Sequence, residues 1–456
     1  MGYRAYAEYK ESGVTGLDQV PSHWTTWKAT HGFSKIGSGT TPKSDNAHYY
    51  DGDMPWVTTS ELREKPIFET QAKLTAQAIR DYPTLKTYSP HSLIIAMYGA
   101  TIGRLGILEI EATVNQACCV FSGPEQFDTK FFYYWLWMWR PTLLALSAGG
   151  GQPNLSQDTL KQIRVPAPSV PEQQNIANFL DHKTAQIDHL SEKKQELIEK
   201  LQEQRIAITI QAITKGLDGN TAVKDSGVEW LGTIPEHWDV HQLSLLTETI
   251  QTGPFGSQLH AADYVEGGVP LINPAHLVSG DIIPDEKSAV DAQTVGRLNR
   301  HKLKPADIIM ARRGEIGRCA FVEEEQAGWL CGTGSLIIRF AKGNSRFFSI
   351  VISSGGFSKN LELYAVGSTM LNLNPTIVGR MPVPVPPLAE QDQIVSYIDS
   401  ATKKIDRSIT KARETIERLQ EYRAALITAA VTGQIDVRDW QAPKSTKESA
   451  ANKEVA

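Results

Sequence analysis

The 456-residue sequence predicts an α+β fold, in which two dissimilar globular bodies are separated by an antiparallel pair of long coiled-coil helices in a pseudo-two-fold internal repeat. Three observations predict it. One series of motifs occurs twice in the same order; two stretches without internal glycine or proline carry heptad-spaced apolar positions; and the segments between them alternate short β-rich runs with glycine-rich turns.

The duplication comes first, because halves of a repeated chain answer to one explanation. Lys10-Glu11-Ser12-Gly13-Val14, Leu17, Pro21, His23 and Trp24 recur as Lys224-Asp225-Ser226-Gly227-Val228, Leu231, Pro235, His237 and Trp238. Ile102-Gly103-Arg104 returns as Ile316-Gly317-Arg318, Phe131-Phe132 as Phe347-Phe348, and Asn154-Leu155 as Asn372-Leu373. The proline gate Val165-Pro166-Ala167-Pro168 with Glu172-Gln173, Ile176, Asp181, Thr184 and Ile187-Asp188 returns as Val383-Pro384-Val385-Pro386 with Glu390-Gln391, Ile394, Asp399, Thr402 and Ile405-Asp406. Each copy is thus an opening segment, a mixed body, a gate and a charged helix. The bodies span about 25 to 164 and 239 to 381. In the first, the aromatic run Phe131 to Trp139 reads as a buried helix.

After each gate the pattern changes period. Ile176, Leu180, Lys183, Ile187, Leu190, Lys194, Leu197, Leu201, Gln204 and Ile208 follow alternating four- and three-residue steps, and Ile394, Ile398, Ala401, Ile405, Ser408, Ala412, Thr415, Leu419, Tyr422 and Leu426 repeat the track. Such a helix is about 60 Å long at 1.5 Å per residue, so its apolar stripe needs a partner, and the other copy is available. Antiparallel pairing avoids a long return connection; packing of each helix on its own body alone is the other option. The expected boundaries are 1–24 for an opening segment that completes the repeat, 25–168 for the first body, 169–216 for the first helical region, 217–386 for the second body with its opening segment, 387–436 for the second helical region, and 437–456 for a disordered tail. The chain ends should meet, since Thr214-Lys215-Gly216 continues into the second opening segment whereas Thr432-Gly433 has only Lys10 to Trp24 to continue it.

Composition excludes several classes. A net charge of -5, with acidic and basic side chains nearly balanced in each body, argues against gripping nucleic acid by bulk charge alone. The cysteines Cys118, Cys119, Cys319 and Cys331 have no C-x-x-C spacing and predict inert thiols, not a metal site. The N-terminus lacks a signal-like apolar run, and Phe131 to Trp139 falls short of a membrane span, so a cytoplasmic location is expected. Asn273-Pro274-Ala275-His276 and Asn374-Pro375-Thr376-Ile377 lack the second proline and the aromatic of an amino-methylating motif, and no G-x-x-x-x-G-K-[ST] loop is present. Asp285-Glu286-Lys287 reads as a solvated loop.

The doubled gate with its Glu-Gln pair, the doubled Pro-x-His-Trp and the Gly-Arg turns, in one order around two long helices, resemble the specificity subunit of type I restriction-modification systems over nearly the whole chain. The resemblance implies a non-catalytic subunit whose two bodies are target-recognition domains, each reading half of a bipartite, asymmetric site in double-stranded DNA. It implies two methyltransferase subunits and one or two restriction-motor subunits as partners, with no membrane. S-adenosylmethionine, ATP and Mg would belong to those partners, which methylate adenine N6 and cleave DNA; this chain would hold no cofactor and no metal.

Under that reading the helices act as a ruler between half-sites, and base contacts come from polar residues on Gly/Pro loops. The candidates are Ser38, Thr40, Thr41, Lys43, Tyr98, Arg104, Gln152 and Asn154 in the first body. In the second they are Ser257, Gln258, Arg312, Arg313, Arg318 and Ser368. Arg312 and Arg313, aligned with Tyr98 and Gly99, have no basic counterparts and are the favoured guanine contacts. The loop from Gly37 could equally be a plain turn, and the equivalent Arg104 and Arg318 suit phosphate contacts or salt bridges. Asn154 and Asn372 could cap helices, while His23 and His237 read as packing residues. Near-neutral bodies leave open a scaffold that joins proteins without touching DNA.

Overall fold

Two helices, Val170–Lys215 and Leu388–Val431, run through 46 and 44 residues of the computed structural model, which describes residues 3–145, 154–255, 258–314, 317–364 and 373–443. Each begins directly after its proline gate and ends at a glycine in the left-handed region, Gly216 (φ 72°) and Gly433 (φ 73°). A residue with a Cβ is disfavoured there, so the helices stop where the sequence supplies glycine.

The chain divides into two units, one of Met1–Lys194 with Arg413–Ala456 and one of Gln195–Ala412. Each unit contains the start of one long helix and the end of the other. In the first, Ile176, Leu180 and Ile187 share a core with Leu426, Ile427, Ala430 and Val431, and Arg423 Nε lies 3.1 Å from Asp188 Oδ1. In the second, Ala212 and Ile213 share a core with Ile394 and Ile398, and Arg205 Nε lies 3.3 Å from Asp406 Oδ1. Early residues of one helix therefore meet late residues of the other, and within each unit the pair is antiparallel.

Half of the expected seam is displaced by one residue, in the same way on both helices. Ile176, Leu180 and Ile187 are buried as expected, but Leu190 and Leu197 are exposed and Thr184 and Ile198 are buried. On the second helix Thr402 and Ile409 are buried where Ala401 and Ser408 were expected, and Tyr422 is exposed. Small hydroxyl side chains can enter the seam because they bond within their own helix: Thr402 Oγ1 donates to the Ile398 carbonyl at 2.8 Å and Ser191 Oγ to that of Ile187 at 2.9 Å.

In the first body a sheet of five strands has the order Phe33–Ser38, Cys118–Pro124, Leu93–Ala96, Leu105–Leu108, Pro66–Ile67, antiparallel except for the last pair. Its central strand Leu93–Ala96 is buried at every position, as a strand covered on both faces must be. One face carries the helix Thr129–Ala145, whose Phe131, Phe132, Trp135 and Leu136 are buried as the aromatic run predicts. A smaller sheet joins Thr113–Val114, Tyr50–Val57 and Ala72–Leu74.

The second body repeats the plan with four strands, Thr247–Thr252, Ser335–Phe340, Ile308–Ala311 and Cys319–Phe321, and with Leu330–Cys331 parallel to Tyr264–Ile272. Its helix Ser345–Ile352 buries Phe347 and Phe348. Each proline gate is a short strand: Arg164–Ala167 pairs with Thr25–Lys28, and Pro382–Val385 with Asp239–Gln242.

The Glu-Gln pair after each gate fastens body to helix. Gln173 is buried; its Oε1 accepts from the Asp128 amide at 2.8 Å and its Nε2 donates to the carbonyls of Gln126 and Pro168, both at 2.9 Å. Gln391 does the same through the Asn344 amide at 2.7 Å and the Pro386 carbonyl at 2.8 Å. Glu172 accepts from Tyr6 Oη at 2.8 Å and from Trp24 Nε1 at 3.4 Å. It also pairs with His23 Nε2 at 3.0 Å, as Glu390 pairs with His237 Nε2 at 2.8 Å. The two histidines are about half exposed and are carboxylate partners as well as ring contacts, His23 standing 5.5 Å from the Tyr6 ring and His237 6.5 Å from that of Trp238.

Among the described residues the opening segment meets the stretch after the second long helix, as expected. Arg4 bridges Asp436, the Asp436 amide donates to the Arg4 carbonyl at 2.7 Å, and Tyr9 Oη donates to the Gly433 carbonyl at 3.0 Å. Part of the expected tail is packed: Val437 is buried and the Trp440 ring stands 5.5 Å from that of Phe179.

Candidate nucleic-acid interface

The antiparallel pairings of the first body bring four strand ends to one edge, because Ser38 lies opposite Cys119, Cys118 opposite Ala96, and Ile95 opposite Leu105. The connections leaving that edge are the loop 39–43, the turn 98–104 and the turn 115–117. Asn154 joins them through a single antiparallel bridge to Tyr98. Ser38, Thr40, Thr41, Lys43, Tyr98, Arg104 and Asn154 are thereby gathered at one end of the sheet, whereas Gln152 lies outside the described residues.

The loop is held by its backbone. Gly39 passes so close to the strand Thr113–Val114 that a Cβ would fall 1.6 Å from the Val114 carbonyl oxygen. The Thr40 amide donates to that oxygen at 3.2 Å, the Thr40 carbonyl accepts from Trp56 Nε1 at 3.2 Å, and the Lys43 amide donates to Tyr82 Oη at 3.1 Å. Tyr88 Oη donates to the Ser38 carbonyl at 3.0 Å. Among the side chains, Thr40 Oγ1 lies 2.7 Å from Thr84 Oγ1, and Thr41 Oγ1 donates to Gln116 Oε1. Thr41, Lys43 and Arg104 are exposed; Tyr98 is half-buried, and burial raises its phenol pKa.

The second body builds the same edge from Thr252, Ala311, Cys319 and Ser335. Gly253 repeats the close approach, since a Cβ there would fall 1.9 Å from the Gly332 carbonyl oxygen. The hydrogen bonds show which residues correspond. The Met97 amide donates to the Ala117 carbonyl and the Met97 carbonyl accepts from the Leu155 amide, both at 2.8 Å. Arg312 makes the same two bonds, to Gly334 at 3.0 Å and from Leu373 at 2.9 Å. Arg312 and Arg313 therefore occupy the places of Met97 and Tyr98, one residue away from the alignment with Tyr98 and Gly99.

That shift separates the two arginines. Arg312 sits at an inward position, is 7% exposed, and donates from Nε to the Leu373 carbonyl at 3.2 Å. Burial and then the neighbouring Arg313 lower its pKa. Its guanidinium is committed to the body's interior, not to a groove. Arg313 is exposed at the outward position. Arg318 Nη1 donates to the Pro274 carbonyl at 3.3 Å, and Gln258 closes its own turn by accepting from the Phe255 amide at 3.2 Å. Ser257 and Ser368 lie outside the described residues, as does Asn372.

Helix capping falls elsewhere than expected. Ser156 caps Gln157–Gln162, accepting from the Thr159 amide at 2.9 Å, and Asn374 caps Pro375–Gly379, accepting from the Ile377 amide at 3.0 Å. Asn154 is left as an exposed residue beside Tyr98. Two further polar residues stand at the edge of the first body, Gln116 and Thr84; Thr84 follows Pro83, whereas no glycine or proline flanks Gln116, so a pattern of Gly/Pro loops does not mark it. All four cysteines are buried, and burial pushes the Cys119 and Cys319 thiols up to about 12. Among the described residues no group of three or more His, Cys, Asp or Glu side chains could hold a metal, and no helix is long and apolar enough to cross a membrane.

The family model for the type I restriction modification DNA specificity domain matches residues 21–200 and again 235–418. The chain belongs to this family. The two matches restate the internal repeat, each covering a body together with its gate and most of its long helix. This specificity subunit is 22% identical over 440 residues to the type I restriction enzyme MjaVIII specificity subunit of Methanocaldococcus jannaschii, covering 95% of this chain and 98% of that one. It is 23% identical over 391 residues to the EcoKI specificity subunit of Escherichia coli K12, covering 81% and 80%. Its fold is similar to a chain from a structure of type I R-M complex assembly and conformational transition, with TM-score 0.68 at 14% identity over 91% of this chain and 99% of that one. An HsdS subunit from Thermoanaerobacter tengcongensis follows with TM-score 0.54 at 15% identity over 92% and 99%.

Proposed function

We propose that this specificity subunit reads a bipartite, asymmetric site in double-stranded DNA, the first target-recognition domain (25–168) taking one half and the second (217–386) the other. It presents the site, in the cytoplasm, to two methyltransferase subunits and one or two restriction-motor subunits. Adenine N6 methylation with S-adenosylmethionine and ATP- and Mg-dependent cleavage reside in those partners, and this chain is not an enzyme. The observation that carries the reading is one edge built twice with different side chains on it: Tyr98 stands where Arg313 stands, each next to a residue, Met97 or Arg312, that makes the same two backbone hydrogen bonds. A frame that repeats while its outward residues differ suits two readers of unrelated sequences.

Lys43, Arg104 and Arg318 suit phosphate contacts, and Tyr98, Asn154 and Arg313 suit base edges. Near-balanced charge in each body means that affinity comes in part from the methyltransferase subunits closing on the duplex. That same balance is the one feature favouring a scaffold that does not touch DNA. A mobility-shift assay with the methyltransferase present separates the two, since the scaffold predicts no shift. Methylome sequencing after exchange of residues 239 to 381 for the second body of another family member tests the main reading. One half-site should change; alteration of both halves, or of neither, overturns it.

A further inference from the structure

We propose that Gln116 is a base-reading residue of the first body and that Thr41 is its positioning residue, an assignment that rests on the DNA-reading role of that body. Gln116 is exposed on the turn 115–117, at the same sheet edge as Thr40, Tyr98 and Arg104. The backbone beneath it is tied down on both sides. The Asn115 amide donates to the Val57 carbonyl at 3.0 Å, and the Asn115 carbonyl accepts from the amides of Gly39 and Cys118, both at 3.3 Å. Asn115 Oδ1 accepts from the Ala117 amide at 3.1 Å, and the Ala117 carbonyl accepts from the Met97 amide at 2.8 Å. An exposed amide on so constrained a turn loses little freedom on binding, which is what a specificity contact needs.

The side chain itself is oriented. Thr41 Oγ1 donates to Gln116 Oε1, so the oxygen faces the loop and the Nε2 hydrogens face away from it. The presented group is a donor, and its complement is a base edge that offers an acceptor: guanine O6 or N7, adenine N7, or thymine O4. Gly39 makes this possible, because only a residue without a Cβ lets the loop carrying Thr41 lie against Val114.

In the second body the equivalent turn is fixed in the same way, the Gly332 amide donating to the Ile272 carbonyl at 2.8 Å as the Asn115 amide does to Val57. Thr333 occupies the place of Gln116, and Phe255 that of Thr41. The pair Thr41 and Gln116 therefore belongs to the first body alone, as a contact to one half-site must.

The test uses the complex of the full chain with its methyltransferase subunits, reading methylation rates on duplexes varied one base pair at a time. Gln116→Ala should lower discrimination at a single position of the first half-site by about 5- to 150-fold and leave the second half-site unchanged. Gln116→Glu, which offers only acceptors, should move the preference at that position toward a pair presenting a donor, such as cytosine N4. Thr41→Val should give a smaller loss at the same position, restored by Thr41→Ser. An unchanged motif in Gln116→Ala, or a uniform weakening across all positions, overturns the assignment. Exchange of residues 25 to 164 for another family member's first body separates the levels. If that exchange leaves the half-site unaltered, the reading role of the body fails; if it alters the half-site while Gln116→Ala does not, only the present assignment fails.

Discussion

Replacing Gln173 with methionine removes the amide that fastens the first body to its long helix while keeping nearly the same volume. Three partners lose their bond: the Pro168 carbonyl, which is buried, and the Gln126 carbonyl and Asp128 amide, which lie nearer solvent. A buried unpaired group costs about 1–3 kcal/mol; the full value once and about half of it twice gives roughly 2–6 kcal/mol, a large share of a domain's stability of about 5–15 kcal/mol. Urea unfolding followed by tryptophan fluorescence, compared at equal slope, measures it. Gln173→Glu sharpens the test, because a carboxylate would face two carbonyls from which it can accept nothing. Burial and those carbonyls raise the folded pKa of the new carboxyl above its unfolded value of about 4.3. The penalty is then full at pH above the folded value and shrinks as pH falls toward the unfolded one, where the protonated acid can donate one bond. Gln391→Met, which breaks one buried and one half-buried bond, should cost about three-quarters as much. A Gln173→Met variant within about 0.5 kcal/mol of the parent, or a Gln173→Glu variant as stable as the parent at pH 8, would refute this account of the motif.

Arg339 pairs through Nε and Nη2 with both oxygens of Asp307 at 2.7 Å, so Arg339→Met strands a buried carboxylate and should cost about 3–5 kcal/mol by chemical denaturation, with Asp307→Asn in the same chain recovering part of it; no recovery argues against the pair as the cause. Gly39→Ala forces the loop away from Val114 and should abolish discrimination in the first half-site, measured by duplex methylation, with Gly253→Ala acting on the other half; parental discrimination in either would show that the close approach is dispensable. Arg312→Met is expected to lower the melting temperature without altering base preference, and Arg313→Ala to alter base preference without lowering it, so a reversed outcome would exchange their roles. Hydrogen bonding from Arg438 holds the Asp436 carboxyl below the usual carboxylate range. That pair therefore stabilises above about pH 3.8 and is lost as pH falls through the lower folded value, a loss that an acid titration of Asp436→Asn should not show.

The repeat, the two long helices and the aromatic helix were legible in sequence because each rests on local periodicity or on identity between copies. Antiparallel pairing was also within reach, since it follows from the order of parts. The seam was read correctly only at every second position: Leu190 and Leu197 looked like better core residues than Thr184 and Ser191, yet a helix turns toward its partner as a whole and hydroxyls bonded to their own helix are accepted there. The same limit governed the candidate site. Gly/Pro loops marked the edge of the first body, but Gln116 sits on a turn with no glycine or proline beside it, closed instead by the Asn115 side chain.

By itself, the sequence determined that this protein is one plan carried out twice, with two unlike bodies on paired helices, because duplication and periodicity survive in the order of residues. Only the tertiary structure decided which side chains face outward. Arg312 and Arg313 are adjacent and chemically identical, yet backbone hydrogen bonds place one in the interior and the other in solvent, and a strand's alternation cannot be anchored until its partners are known.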